Sequence, residues 1–251
     1  MRGGWGGLQG IGEKSLSMDE EKKRVDEIAA RSRYAEGLNT QTTKYSFKIF
    51  ERHLRPGSIL ELGPAEGVMT QCLYGKFPNL SAVEGSAVFC ESLRERFPKL
   101  RVIHALFEDF ETEESYDNIL LGHVLEHVKD PVRILSQAKE WLAPGGKIMA
   151  AVPNARSLHR QAAVIMGLLK HEKDLNDNDL YHGHRRLYDP ESFRGDFIAA
   201  GLTIEHFGGY WIKPLSNRQI EQTWTREMVH AFMVLGERYP DLAAEIYIIA
   251  S

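Results

Sequence analysis

Residues 58–68, SILELGPAEGV, constrain the fold of this chain more than any other stretch. A short apolar run (Ile59, Leu60, Leu62) passes through Gly63 and Gly67 into a run with helical character. A buried strand that turns sharply into a helix through glycines leaves free backbone N–H groups at the carboxyl edge of a sheet. Glu84 ends the next strand-like run, about one strand–helix–strand unit downstream. A carboxylate there can accept two hydrogen bonds from a ribose diol. The dinucleotide fingerprint G-x-G-x-x-G is incomplete, because Gly63-Pro64-Ala65-Glu66-Gly67 lacks the middle glycine, and no phosphate-loop lysine follows. The glycines alone would serve a tight turn. Together with Glu84 they predict a nucleotide or nucleoside site.

The rest of the chain supplies a sheet for that site. Strand-like runs at 58–62, 80–84, 101–105, 117–121 and 147–152 alternate with helical runs at 67–76, 86–97 and 132–142. Strands with little polar alternation, interleaved with helices, call for a parallel sheet covered on both faces. Before them lie predicted helices at 19–35 and 43–53, the second stopped by Pro56-Gly57. After them come a helix over about 155–170, a charged stretch HEKDLNDNDLYHGHRRLYD, and a helix from Pro190 capped by Asp189. A strand at 203–209, a long helical segment at 217–238 and a strand at 245–250 close the chain. Residues 1–17 are glycine-rich and aperiodic and are expected to be a disordered leader, leaving 18–251 as a single α/β domain.

Composition narrows the function. A chain of 251 residues, 43% hydrophobic, can bury one sizeable core. A formal charge of −4 gives no reason to expect a nucleic-acid partner. No apolar run approaches a membrane span and no signal core is visible, so a cytoplasmic protein is expected, with a homodimer left open. Cys72 and Cys90 lie in helical runs and read as buried thiols.

The segments ILELGPAEG, AVEGS, FEDF, YDNILLGHVLEHVKDP and WLAPGGKIMAAVPN resemble, in order and spacing, the motifs of class I S-adenosylmethionine-dependent methyltransferases. The likeness covers roughly residues 40–210 and is nearest to the small-molecule branch that includes ubiquinone-pathway O-methyltransferases and many natural-product enzymes. The resemblance implies a Rossmann-like seven-stranded sheet, mostly parallel with an antiparallel last strand, and S-adenosyl-L-methionine as the cofactor. It implies that Glu61, Gly63, Pro64 and Gly67 frame the methionine part, and that Glu84 and Gly85 take the ribose. Phe107 and Glu108 would border the adenine, and Gly122 and His123 would lie beneath the sulfonium. Leu106 departs from the family, where an acidic residue often touches the adenine. The N-terminal helices (19–54) and the insertion (158–190) would form a lid.

Two groups of side chains suggest chemistry. In GHVLEHVKDP, a helical turn over 123–128 would place His123 and His127 on one face. His127 is the candidate general base, with a structural histidine as the plainer alternative, and His123 shapes the cofactor site. A metal is not expected, because H-x-x-x-H lacks the metalloprotease glutamate and a third ligand. The second group, Arg156, His159, Arg160, His182, His184, Arg185, Arg186 and Tyr188, with Tyr34 from the N-terminal helices, reads as a pocket for a small anionic substrate. A solvated loop is the bland alternative. The predicted function is methyl transfer to oxygen or nitrogen of such a metabolite. A nicotinamide oxidoreductase, a non-catalytic cofactor-binding protein and a protein methyltransferase are the rivals.

Overall fold

A computed structural model of the protein describes residues 17–251. The predicted leader lies outside the described residues, except for Ser17. That residue belongs to the fold: its hydroxyl and Glu20 form a reciprocal capping box that opens α1 (Met18–Ala30).

The apolar runs become strands. β1 (Ile59–Leu62), β2 (Leu80–Glu84), β3 (Arg101–His104), β4 (Tyr116–Gly122) and β5 (Leu142–Pro153) pair in parallel. β7 (Glu245–Ala250) inserts antiparallel between β5 and β6 (Ile204–Tyr210), giving the order β3-β2-β1-β4-β5-β7-β6. This is the predicted seven-stranded, mostly parallel sheet. Its topological switch point falls between β1 and β4, where open α/β sheets hold ligands at their carboxyl edge.

Alternate side chains of the central strands feed two cores. Leu60, Leu62, Ile119, Leu121 and Ile148 face one side, where Ile134 and Leu135 of α5 (Pro131–Glu140) and Phe193 and Phe197 of α8 (Pro190–Ala199) cover them. Ile59, Ala82, Leu120 and Met149 face the other. They pack with residues from α2 (Gly37–Glu51), α3 (Val68–Leu73), α4 (Ala87–Arg96) and α10 (Arg226–Gly236). Each fully buried aliphatic side chain contributes about 1.5–3 kcal/mol, so a strand buried on both faces is doubly anchored.

Several boundaries move for identifiable reasons. α2 starts at Gly37, six residues before the expected 43, because Glu221 reaches across to accept the Leu38 amide at 2.9 Å. The helix predicted over 155–170 is α6 (Leu158–Ile165), followed by Gly167 at φ +73°. The charged stretch carries a short helix, α7 (Asp177–Tyr181), opened by an Asn176 capping box. The segment 217–238 divides into α9 (Asn217–Thr223) and α10, since Trp224 is extended and Thr225 caps the second helix. Both cysteines are free, Cys90 buried and Cys72 partly exposed. No helix among the described residues is long and apolar enough to cross a membrane.

Candidate active site

Three cavities open along the carboxyl edge of the sheet, and Tyr34 and His123 line all three. The first, about 70 Å³, lies over the glycine loop between β1 and α3 and is bordered by Glu61, Gly63, Pro64 and Gly122. The second, about 130 Å³, runs past Glu84, Gly85, Phe107 and Glu108 beneath α1. The third, about 380 Å³, is the largest and is walled by the insertion, by the 211–218 segment and by the start of β7.

The glycine loop is held open by backbone geometry. Gly63 and Gly67 have φ of +67° and +74°. A Cβ on Gly67 would stand 2.8 Å from Leu93 Cδ2 and 3.0 Å from Phe97 Cε2, so Gly67 packs behind the loop and lines none of these cavities. Glu84 is buried at the end of β2; one oxygen accepts the Ser86 amide at 2.8 Å and the other the Ala65 amide at 3.1 Å. It therefore ties β2 to the loop while retaining lone pairs toward the second cavity. Burial pushes its carboxyl up, against those amides. Glu61 accepts from the Thr70 hydroxyl at 2.7 Å, and burial pushes its carboxyl up to about 7.

These residues fit the group that the sequence motifs imply. A buried carboxylate sits beside apolar walls (Val25, Ile28, Leu106, Val124), as a ribose and an adenine require. Leu106 lines that space together with Glu108. When bound, S-adenosylmethionine supplies an activated methyl group; the chain supplies the shaped, partly acidic surface around it. One anchor was not singled out in the sequence: Glu66 accepts from the Ser32 hydroxyl and the Tyr34 amide, pinning the α1–α2 connection to the glycine loop.

The GHVLEH segment differs from expectation. Residues 123–128 form turns rather than a helix, and His123 takes a left-handed φ of +59°. His123 and His127 thus share no helical face. His127 Nε2 lies 3.2 Å from the Tyr34 hydroxyl and Nδ1 lies 3.4 Å from the Gly183 carbonyl. It borders the second cavity, not the third. Burial pushes its ring down to about 3, so it is neutral. The missing third side chain near it is His184, since polar atoms of Glu126, His127 and His184 lie within 4.8 Å of one another. Glu126 is charge-paired with His123, whose Nδ1 is 3.3 Å from Oε1, while both Glu126 oxygens and His184 Nδ1 are buried without a hydrogen bond. Burial would push His123 down, but Glu245 and Glu126 outweigh it and hold the ring up at about 9.

The basic cluster is redistributed. Arg160 lines the third cavity, paired with Asp179 at 3.1 Å, and His184 and Tyr34 line it too. Arg156, Arg185, Arg186 and Tyr188 do not. Arg156 pairs with Glu191, and the Tyr188 hydroxyl donates to Asp196 at 2.8 Å. Arg185 pairs with Glu21 at 2.7 Å and donates to the His127 carbonyl. Arg186 donates to the carbonyls of Leu125, Val128 and Lys129. A non-helical segment has carbonyls to satisfy, and these guanidiniums satisfy them. Lys213 and Glu245, which the sequence did not single out, do line the third cavity. Glu245 could have been found: it heads the apolar run EIYIIA, and an antiparallel last strand brings its first residue to the site's edge.

A family model described as a methyltransferase domain matches residues 32–207. The chain is 30% identical over 128 residues to a ubiquinone biosynthesis O-methyltransferase of Rhizobium etli (strain CIAT 652), covering 51% of this chain and 49% of that protein. The chain spans about half the length of the curated relatives it matches first. Its fold resembles a SAM-dependent methyltransferase, possible histamine N-methyltransferase, from Thermotoga maritima. The TM-score is 0.60 at 18% identity, over 93% of this chain and 95% of that one. It also resembles an S-adenosylmethionine-dependent methyltransferase from Mesorhizobium loti, with TM-score 0.61 and 15% identity over 82% and 97%. The matched family region runs from just before Tyr34 through every motif that frames the first two cavities, and the chain belongs to the methyltransferase domain family.

Proposed function

We propose that the protein transfers a methyl group from S-adenosylmethionine to an oxygen or nitrogen of a small metabolite that carries an anionic group. The observation that carries the reading is that Tyr34 and His123 line all three cavities: one over the glycine loop, one past Glu84, and a third large enough for a small molecule. In-line transfer needs donor and acceptor in one water-poor line, and most of the protein's contribution is positioning. Support for an anionic group comes from Lys213. Its ammonium is 5.2 Å from the Trp211 ring centre and, among the described residues, makes no hydrogen bond or ion pair. An unpaired, partly buried cation facing a cavity favours a carboxylate or phosphate partner. In this reading Lys213, with Arg160 and His184, replaces the more distant arginines, and Glu84 takes the ribose.

Calorimetric titration tests the donor half. Glu84→Ala should weaken S-adenosylmethionine and S-adenosylhomocysteine by about 2–4 kcal/mol, the loss of two charge-assisted hydrogen bonds. Unchanged affinity, or preferential binding of a nicotinamide dinucleotide, would overturn the reading. For the acceptor half, hydroxybenzoates and amino acids can be offered with methyl-labelled donor. Lys213→Met should raise KM for a methylated probe about 10- to 100-fold and leave donor affinity intact.

A further inference from the structure

We propose that Glu245 is the proton acceptor of the methyl transfer, with His123 and Glu126 as the positioning pair behind it. The proposal rests on the acceptor reading above and adds a residue to it. Glu245 Oε2 and His123 Nε2 are both buried, both without a hydrogen bond, and 3.8 Å apart. That gap is too wide for a direct bond. An acceptor heteroatom about 2.8 Å from each atom would close it, donating its proton to Glu245. Both residues line the acceptor cavity, and His123 also borders the two cavities fitted to the donor. The gap therefore lies between two residues that line the acceptor cavity, one of which borders all three.

The topology explains how a carboxylate gets there. β7 runs antiparallel to β5, so its first residue, paired with Pro153 and Tyr210, arrives at the edge where the parallel strands end. The groups facing Glu245 are His123 and Glu126 from the segment after β4, Lys213 from the segment after β6, and Tyr210 from β6 itself. The other bases are worse placed. His123 is held as an imidazolium by two carboxylates and has no free lone pair to offer. His127 faces the second cavity with both nitrogens engaged. His159 lines the acceptor cavity, but burial and the neighbouring Lys213 and Arg160 make it a very weak base. Burial holds Glu245 up at about 7, a useful value for a base working near neutrality. In the step, the acceptor's lone pair forms the bond to the methyl carbon and the C–S pair returns to sulfur. The acceptor's proton passes to Glu245 Oε2, from which solvent later removes it.

Three measurements on the full chain test this. In protein labelled with [13Cδ]glutamate, the carboxyl signal lost in Glu245→Gln should titrate near neutrality and move upward in His123→Asn, which removes the facing cation. A signal titrating at the ordinary value of about 4.3, unmoved by His123→Asn, overturns the proposal whether or not any probe is methylated. With a methylated hydroxybenzoate or amino acid, Glu245→Gln should lower kcat about 10²- to 10⁴-fold with KM and donor affinity unchanged. Glu245→Asp should restore part of kcat. Wild-type kcat in Glu245→Gln, or a change in KM alone, overturns the role. If Lys213→Met leaves every KM untouched while Glu245→Gln still lowers kcat, the anionic-acceptor reading falls and Glu245 stands. The reverse pattern removes Glu245 and keeps the reading.

Discussion

Three non-glycine residues among those described take left-handed backbone angles: Ala65 at φ +48°, His123 at +59° and Trp211 at +69°. All three border the cavities. A left-handed L-residue costs about 1–2 kcal/mol and persists only where its surroundings dictate it. Trp211 shows the dictation: a Cβ on Gly236 would stand 2.1 Å from the Trp211 amide nitrogen, so α10 can approach only through a glycine. Gly67 is the complementary case, a left-handed residue whose side is filled by Leu93 and Phe97. Gly67→Ala adds both backbone strain and an overpacked methyl. We expect it to cost about 1–3 kcal/mol, read as a lower urea midpoint with an unchanged slope. A midpoint equal to wild type would mean the loop relaxes away from α4.

At the scale of elements, the turn segment after β4 is the part of the site least able to hold itself. It has no helix, and its carbonyls at Leu125, His127, Val128 and Lys129 are met by Arg185 and Arg186 of the insertion. Arg186→Ala leaves three of these acceptors without their charged donor and should cost about 2–4 kcal/mol in urea unfolding. A substrate-binding arginine would instead change KM with stability intact, so one variant separates the two roles. The sequence could not distinguish them, because a guanidinium paired to carbonyls 57 to 61 residues away has the same local signature as one facing solvent. The same limit hid the Glu221 cap on α2. What was legible is whatever local pattern controls: apolar runs for β1 to β5, glycines at positive φ, and Glu84 at a strand end. The 123–128 helical turn failed for a related reason, since helical spacing in six residues is weaker than the demands of a sheet edge.

Over the whole molecule, buried titratable groups oppose one another, and the sum gives a distinct acid profile. His127 and His159 are held down to about 3 and about 2, first by burial. An unfolded histidine binds its proton near pH 6.5, so their contribution is complete above that value and is lost as pH falls below it. Glu61 and Glu245 are held up at about 7, again first by burial, and Glu84 is raised as well. There the native state binds protons that the unfolded chain has released, so stability rises as pH falls from about 7 to about 4.5. His123, raised to about 9, contributes fully below pH 6.5 and loses its contribution as pH climbs through 9. Between about pH 6.5 and 4.5 the two histidines and the two carboxyls change stability in opposite directions by about 1.4 kcal/mol per pH unit each, and largely cancel. Below about 4.5 those two carboxyls are protonated in both states. Glu126 and Asp189, held down to about 2 against burial by His123 and by Lys173 and Ser192 respectively, then join the histidines in losing their contribution as pH falls. Urea unfolding should therefore give nearly equal stabilities at pH 6.5 and pH 5, then a loss of at least about 3 kcal/mol over the next unit below 4.5. A steady fall of about 4 kcal/mol from pH 6.5 to 5 would mean that Glu61 and Glu245 carry ordinary carboxyls, and the base assigned to the acceptor cavity would lose its physical footing.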